Sequence, residues 1–220
     1  MDNINLARGE KAERVVPRRS AVLILVGFGI LVLFAGMWVG QRFFWSGFDQ
    51  ASQRERQYKE ALAKVKADPN NADYRVELGY AYLQMKKYDQ AQNEYQKALQ
   101  LEPEHRTATL NLGYLYVETK KYDEAIKVLV PLCDANRRFF QANYFLGQAY
   151  FGKGMYQEAL QSFYRAQTAD PASADALYYL GLTYEKLGDK KQAIEQLEGA
   201  LKLLPSMKEA AEALQRVKGK

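Results

Sequence analysis

The dipeptide Leu-Gly recurs at one fixed interval in this sequence. Its four copies begin at Leu78, Leu112, Leu146 and Leu180, so successive copies are 34 residues apart. A period of about 20–50 residues that is kept over several cycles is typical of proteins built from stacked structural repeats. This period therefore limits the fold of the chain more than any other feature of the sequence.

The residues around each Leu-Gly recur at the same interval. Each glycine is followed three residues later by a tyrosine, and further on by an alanine and then a bulky apolar residue. The tyrosines are Tyr82, Tyr116, Tyr150 and Tyr184; the alanines are Ala91, Ala125, Ala159 and Ala193; the bulky residues are Tyr95, Leu129, Phe163 and Leu197. Three of the cycles end on a proline, namely Pro103, Pro171 and Pro205.

This pattern resembles the tetratricopeptide repeat, in which W-x2-L-G-x2-Y is followed by A-x3-F and P over about 34 residues. The sequence departs from the family pattern at the tryptophan, which is replaced by Arg75, Thr109, Asn143 and Leu177. The second cycle also has Arg137 where the closing proline belongs, and it carries Pro131 inside its second helix. We expect Pro131 to kink that helix or to end it early, because proline removes one helical hydrogen bond.

The resemblance implies an all-α fold, a solenoid of four helix-turn-helix repeats with a capping helix at either end. In the first repeat the helices are expected at about residues 72–85 and 88–101. Tyr58, Leu62 and Val65 recur at helical spacing in the segment before it, and Ala210, Leu214 and Val217 do so after the last repeat. The predicted segments are 46–71 for the linker and first cap, 72–105, 106–139, 140–173 and 174–207 for the repeats, and 208–220 for the last cap.

A long apolar stretch precedes the repeats. Residues 20–41 contain no charged side chain, and a helix of that length spans about 33 Å, enough to cross a hydrocarbon layer of about 30 Å. We therefore predict a transmembrane helix over residues 20–45, with aromatic residues such as Trp38 and Trp45 at its far end. A cleaved signal peptide is the alternative, but its apolar region would be shorter and followed by an A-x-A-like site.

The charges that flank this stretch predict its orientation. Residues 1–19 form a basic tail, and more lysine and arginine side chains precede the apolar stretch than follow it. The positive-inside rule then places the N-terminus in the cytoplasm and the repeats outside it, and we predict a single-pass protein of the bacterial inner membrane with periplasmic repeats. Gly36 and Gly40 form a G-x-x-x-G pair, which predicts close packing of another membrane helix, although glycine is common in such helices anyway.

No signature of catalysis or of nucleic-acid binding occurs in the sequence. The net charge is +5, from 31 lysines and arginines against 26 acids, and the two signs are interspersed without a basic stripe. His105 and Cys133 are the only histidine and cysteine, which leaves no ligand set for zinc or c-type haem. We predict a solvated His105, a buried Cys133, and no catalytic residue, metal, cofactor, small-molecule substrate or nucleic-acid partner.

In the tetratricopeptide repeat family the first helix of each repeat lines a groove that binds peptides or partner helices. The positions that the resemblance carries over to this chain are Val76, Tyr80, Leu83, Leu110, Tyr114, Val117, Tyr144, Gln148, Phe151, Tyr178 and Leu182. The cations with which some members clamp a C-terminal carboxylate are missing. The predicted groove is aromatic and apolar, which suits an extended peptide or an amphipathic helix.

The architecture as a whole resembles that of anchored periplasmic tetratricopeptide repeat proteins, which assist envelope-protein folding and cytochrome c maturation. It predicts a membrane-anchored scaffold that binds a membrane or extracytoplasmic protein and contacts the lipid bilayer through residues 20–45. Three alternatives stay open at this point: an accessory subunit of a larger membrane complex, a cytosol-facing import receptor, and a tyrosine-lined groove that binds cell-wall glycan.

Overall fold

The computed structural model describes residues 46–219, with side chains from Ser52 onward. The predicted basic tail and transmembrane helix, with Gly36 and Gly40, lie outside the described residues. No helix within the described part is long and apolar enough to span a membrane. Residues 54–219 belong to one compact unit, which contains all the helix pairs.

Ten helices and no strand make up the regular structure of residues 46–219. They are α1 (Ser46–Ala67), α2 (Ala72–Gln84), α3 (Tyr88–Leu101), α4 (Arg106–Glu118), α5 (Tyr122–Ala135), α6 (Phe140–Lys153), α7 (Tyr156–Ala169), α8 (Ala174–Leu187), α9 (Lys190–Leu203) and α10 (Lys208–Gly219). The all-α prediction is confirmed for this part of the chain, and the two helices expected in the first repeat lie within one residue of their predicted bounds.

The helices from α2 to α9 form four antiparallel pairs that stack in chain order. Each second helix packs against its own first helix and against the first helix of the next pair. The first helices of successive pairs also contact one another, whereas no contact joins the second helices of neighbouring pairs among α3, α5, α7 and α9. The first helices α2, α4, α6 and α8 therefore form the inner face of the stack.

The turn inside each pair requires one residue in the left-handed backbone region. That residue is Lys86, Lys120, Gly154 or Gly188, again at 34-residue spacing, with φ between 57° and 83°. Glycine adopts this region without steric cost, whereas a side chain with a Cβ is strained there by about 1–2 kcal/mol. The last two turns are therefore better adapted to their conformation than the first two.

The repeated glycine and the repeated bulky residue meet between the two helices of each pair. A Cβ built on Gly113 would lie only 2.6 Å from Cγ of Leu129, and the glycine of every other pair meets its own bulky partner in the same way. The repeated alanines Ala91, Ala125, Ala159 and Ala193 are completely buried beside them. The predicted role of these positions in close helix packing is confirmed.

The two flanking helices cover the ends of the stack as the sequence predicts. Val65 is buried against Leu78 of the first pair, with Tyr58 and Leu62 packed alongside. At the other end Ala210 and Val217 of α10 are buried, and they share an apolar cluster with residues of α8 and α9. Covering the apolar ends in this way is what keeps a solenoid soluble.

Of the two outcomes expected for Pro131, a kink or an early helix end, the early end is wrong, because α5 continues for four residues beyond it. Pro131 is exposed at the surface, while Leu132 and Cys133 directly after it are buried in the core. Packing of these two residues holds the last turn helical although one helical hydrogen bond is lost. Cys133 is 1% exposed, which confirms its predicted burial, and burial raises the pKa of its thiol to about 12.

Candidate protein-binding groove

The predicted groove residues of the first pair divide into exposed and buried positions. Tyr80 is 48% exposed on the inner face, where its ring is open to solvent. Val76 and Leu83 lie on the same helix but are buried, because they pack into the core that joins the first three pairs. Tyr80 is therefore the residue of this helix that offers its ring as an accessible surface.

In the second and third pairs the predicted residues are half-buried. Leu110, Tyr114 and Val117 pack their inner sides on the core while part of each remains accessible. Tyr144, Gln148 and Phe151 are also half-buried along α6. These six side chains give the inner faces of α4 and α6 a partly accessible surface.

In the fourth pair the last helix covers part of the predicted face. Tyr178 and Leu182 of α8 pack against the apolar cluster of α9 and α10. Arg216 of α10 also pairs with Glu185 of α8, with Nη2 and Oε2 2.7 Å apart. We therefore limit the candidate groove to the inner faces of α2, α4 and α6 and the part of α8 that faces α6.

A chain of aromatic rings crosses this face and ends at Tyr178, where the cluster of α9 and α10 borders it. We name it the aromatic row: Tyr114, Phe145, Tyr144, Tyr179 and Tyr178. Successive ring centroids are 5.0, 5.8, 5.6 and 5.3 Å apart, and none of the four contacts is a parallel stack. Tilted and edge-to-face pairs at such distances stabilise one another beyond their simple burial. The row therefore gives α4, α6 and α8 a rigid aromatic surface.

Sequence reasoning missed two members of the row. Phe145 and Tyr179 each follow a predicted groove residue directly, and they are themselves 34 residues apart. They were missed because the family positions carried over to this chain do not include the residue before the repeated leucine. The recurrence of an aromatic residue at that position was the signal that could have found them.

Tyrosines that begin the second helices extend the aromatic surface. The ring of Tyr122 lies directly on Gly152 of the next pair, where a Cβ would clash with it. Tyr156 lies against Phe151, with ring centroids 5.5 Å apart. The glycine at residue 152 thus creates room for an aromatic contact between neighbouring pairs.

Acidic side chains give the aromatic face a negative character. The pKa of Tyr114 is raised, first by burial and then by the nearby carboxylate of Glu118. Burial also raises the pKa of Tyr179, with Asp175 and Glu118 adding to the shift while a hydrogen bond with Gln148 opposes it. These tyrosines stay neutral at pH 7, so the fixed charges beside them are those of the two acids.

Beneath Tyr80 and Tyr114 lies a hydroxyl group without a hydrogen-bond partner. Tyr95 of α3 is completely buried, and its Oη has no partner among the described residues. The equivalent residues of the other pairs are Leu129, Phe163 and Leu197, which carry no polar atom. Burial raises the pKa of Tyr95 far above its ordinary value, with Tyr80 and Tyr114 contributing.

The expectation that His105 is solvated is wrong. Its Nδ1 accepts from the backbone N–H of Ala108 at 3.3 Å, and its Nε2 lies 3.0 Å from Oδ1 of Asp73 on α2. The side chain is only 10% exposed. His105 therefore caps α4 and ties the second pair to the first, a contact that depends on packing between repeats and is invisible in the local sequence.

Residues 46–219 contain no group of three histidine, cysteine or acidic side chains placed to bind a metal ion. A cleft of about 630 Å³ opens among α3, α4 and α5, and a smaller one of about 160 Å³ lies beside Cys133. Neither cleft shares a residue with the aromatic row.

Comparison with known proteins agrees with this architecture. Residues 83–149 match the family model of the tetratricopeptide repeat, and residues 142–220 match that of the regulator of microtubule dynamics protein 1–3. No curated protein sequence matches the chain significantly.

Several solved structures share the fold. YrrB, described as a tetratricopeptide repeat protein with an unusual peptide-binding site, superposes with a TM-score of 0.65 at 25% identity, over 77% of this chain and 88% of that one. A double mutant of MamA superposes with a TM-score of 0.66 at 24% identity, over 76% of this chain and 92% of that one. A MamA fragment from Desulfovibrio magneticus RS-1 superposes with a TM-score of 0.62 at 23% identity, over 72% of this chain and 97% of that one.

The 34-residue period, the four stacked helix pairs and these matches lead to one conclusion. The stacked helix pairs have the fold of a tetratricopeptide repeat solenoid, and residues 83–149 match the family model of that repeat.

Proposed function

We propose that this protein is a membrane-anchored scaffold that binds a segment of another protein along the inner face of its repeats. The observation that carries the proposal is the aromatic row, which joins three successive first helices, while the accessible ring of Tyr80 lies on the first helix before them. Aromatic side chains give a large contact area at a low cost in conformational entropy. Tyrosine is also among the residues that dominate the binding energy of protein interfaces.

The charges beside the row define the chemistry of the partner. Asp73, Glu118 and Asp175 are exposed acids on the first helices, and Asp73 is bound to His105. A segment with apolar side chains and at least one arginine or lysine would satisfy both the rings and the acids, since a cation over a tyrosine face is itself favourable. The partner is therefore a protein segment of mixed apolar and basic character, in extended or helical form.

Anchorage rests on the uncharged stretch of residues 20–41, which has the length of a membrane-spanning helix. The flanking charges favour an N-terminus in the cytoplasm and repeats on the far side of the membrane, the inner membrane in a bacterium. In this arrangement the groove is held near the membrane surface, where it meets membrane or envelope proteins. We propose a role in the assembly or stabilisation of such a complex.

The test is affinity purification of the tagged full-length chain from native membranes, with quantification of co-purified proteins. We expect Tyr80→Ala to lower the amount of the specific partner at least tenfold, which corresponds to about 1.4 kcal/mol. Tyr164→Ala is the matched control, because Tyr164 is a similarly exposed tyrosine on the second helix α7. If the two variants retain the same amount of every co-purified protein, the inner face is not the binding surface.

A further inference from the structure

The second repeat differs from the others at the position where the family pattern has tryptophan. In the first repeat Arg75 fills this place and donates to Glu94, with Nη1 and Oε2 2.8 Å apart. In the third, Asn143 is completely buried and donates to two backbone carbonyls. In the fourth, Leu177 packs into the apolar clusters beside it. Arg75 and Leu177 thus contact neighbouring helices, whereas Asn143 is held by the loop before α6 and by the carbonyl of Phe139 at the start of its own helix.

Thr109 does not reach across in the second repeat. Its short side chain turns back on its own helix, where Oγ1 donates to the carbonyl of His105 at 3.2 Å. The space in front of it is the cleft of about 630 Å³, whose apolar walls include Leu99, Val128, Pro131 and Leu132. This volume lies within the range of about 300–1,000 Å³ that is typical of ligand pockets.

Two cations lie at the rim of this cleft. Arg106 and Lys127 are exposed, and neither forms an ion pair within the described part of the chain. Glu104 also lines the cleft, so that the rim carries a net charge of +1. A ligand with a carboxylate next to its apolar group therefore complements the rim better than a neutral or a basic ligand does.

Pro131 adds a hydrogen-bond acceptor to the cleft. Proline has no N–H, so the carbonyl of Lys127 does not receive the helical hydrogen bond that residue 131 would normally donate. Both residues line the cleft. An indole N–H is a donor without acceptor capacity, and a buried indole normally requires a partner for it.

We propose that this cleft binds a tryptophan side chain that is adjacent to a carboxylate, presented by a partner segment that ends in tryptophan or carries an acid beside it. The indole ring packs between Leu99, Val128 and Leu132, and its N–H donates to the carbonyl of Lys127. The carboxylate pairs with Arg106. This site shares no residue with the aromatic row, so the proposal does not depend on the proposed function of that row.

The test uses N-acetyl-L-tryptophan as the probe, with the full-length protein in detergent and methyl NMR as the readout. We expect saturable shifts confined to methyl groups of Leu99, Val128 and Leu132. N-acetyl-L-tryptophanamide, which lacks the carboxylate, should bind at least threefold more weakly. Arg106→Ala should abolish this difference between the two probes without altering the rest of the spectrum.

Variants at Thr109 test the position directly. Thr109→Trp should occupy the cleft and abolish probe binding, whereas Thr109→Val, which keeps the size of the side chain, should leave the affinity within twofold. Shifts that are absent, or spread evenly over the surface, would overturn the proposal. Equal binding of N-acetyl-L-tryptophan and N-acetyl-L-tryptophanamide would also overturn it. This comparison uses the wild-type protein, so it does not depend on whether the Thr109→Trp variant folds.

Discussion

The ring of Tyr95 occupies the space in which a Cβ on Gly79 would lie. An ideal Cβ at this glycine would be 2.6 Å from Cε1 of the ring, closer than real side-chain contacts. The two residues are 16 apart in sequence and lie on the two helices of one pair, and Gly181 meets Leu197 in the same way. The glycine therefore recurs once in every pair, because each pair must admit one bulky side chain between its two helices.

The first prediction concerns the glycine of the second pair. Gly113→Ala should lower the free energy of unfolding by about 2 kcal/mol or more, because a Cβ clashes with the completely buried Leu129. This loss should exceed the gain of about 1 kcal/mol in helix propensity. The measurement is urea unfolding followed by circular dichroism.

Gly199 provides the matched control within the same fold. It lies inside α9, and a Cβ there would be 3.3 Å from a flexible Cδ1 of Leu177. Gly199→Ala should therefore be neutral or mildly stabilising. If both variants change stability equally, the glycine of the Leu-Gly pair is not required for packing.

The second prediction concerns the strained turn residue Lys120, whose φ is 59°. Lys120→Gly should raise the free energy of unfolding by about 0.5–1 kcal/mol, since glycine adopts this conformation without a Cβ clash. Lys121→Gly at the next residue, where φ is −84°, should lower it instead. Thermal unfolding of the wild-type protein and the two variants measures both changes in stability, which should have opposite signs. Two changes of the same sign would contradict the strain at Lys120.

The third prediction concerns a buried ion pair in the first repeat. The side chain of Glu94 is 8% exposed and is bound by both Arg75 and Lys97. Arg75→Leu should destabilise the fold by about 3 kcal/mol, because it leaves Glu94 buried with one partner fewer. The fourth repeat has Leu177 and Gln196 at the same two positions.

The double variant Arg75→Leu/Glu94→Gln should therefore recover most of the lost stability. A double-mutant cycle in urea measures the coupling between the two positions. Additive losses, with no recovery in the double variant, would show that the buried charge is not the cause of the destabilisation.

The fourth prediction concerns stability at alkaline pH. The pKa of Tyr82 is raised to about 12 by burial and by its contact with Tyr58, and that of Tyr184 to about 12 by burial and a hydrogen bond with Tyr164. The pKa of tyrosine in an unfolded chain is about 10. The folded state thus binds more protons than the unfolded state between these values, and stability must fall as pH rises.

The stabilisation that Tyr82 and Tyr184 contribute through their raised pKa values should be complete below about pH 10 and lost as pH rises through about 12. Unfolding by urea at several pH values from 8 to 12 measures the decline, and Tyr184→Phe should make it smaller. A free energy of unfolding that stays constant or increases over this range would contradict the assignment.

The sequence predicted the features that depend on contacts repeated within each pair. Leu-Gly, the alanines and the bulky residues recur with the helices, so the bounds of α2 and α3 followed from their spacing, and the burial of Cys133 followed from its apolar neighbours Leu132 and Phe139. Features that depend on contacts between pairs were missed or wrong. His105 binds Asp73 from another pair, Val76 is buried by a neighbouring helix, and α5 continues past Pro131 because the residues after it are packed.

The central claim is that a partner lies along the aromatic inner face, and site-specific photocrosslinking in native membranes tests it most directly. A photoreactive phenylalanine derivative replaces Tyr80 on the inner face or Leu203, a similarly exposed apolar residue on the second helix α9. The account predicts one discrete crosslinked protein from position 80 and none from position 203. A partner captured from position 203 alone, or equally from both positions, would contradict it.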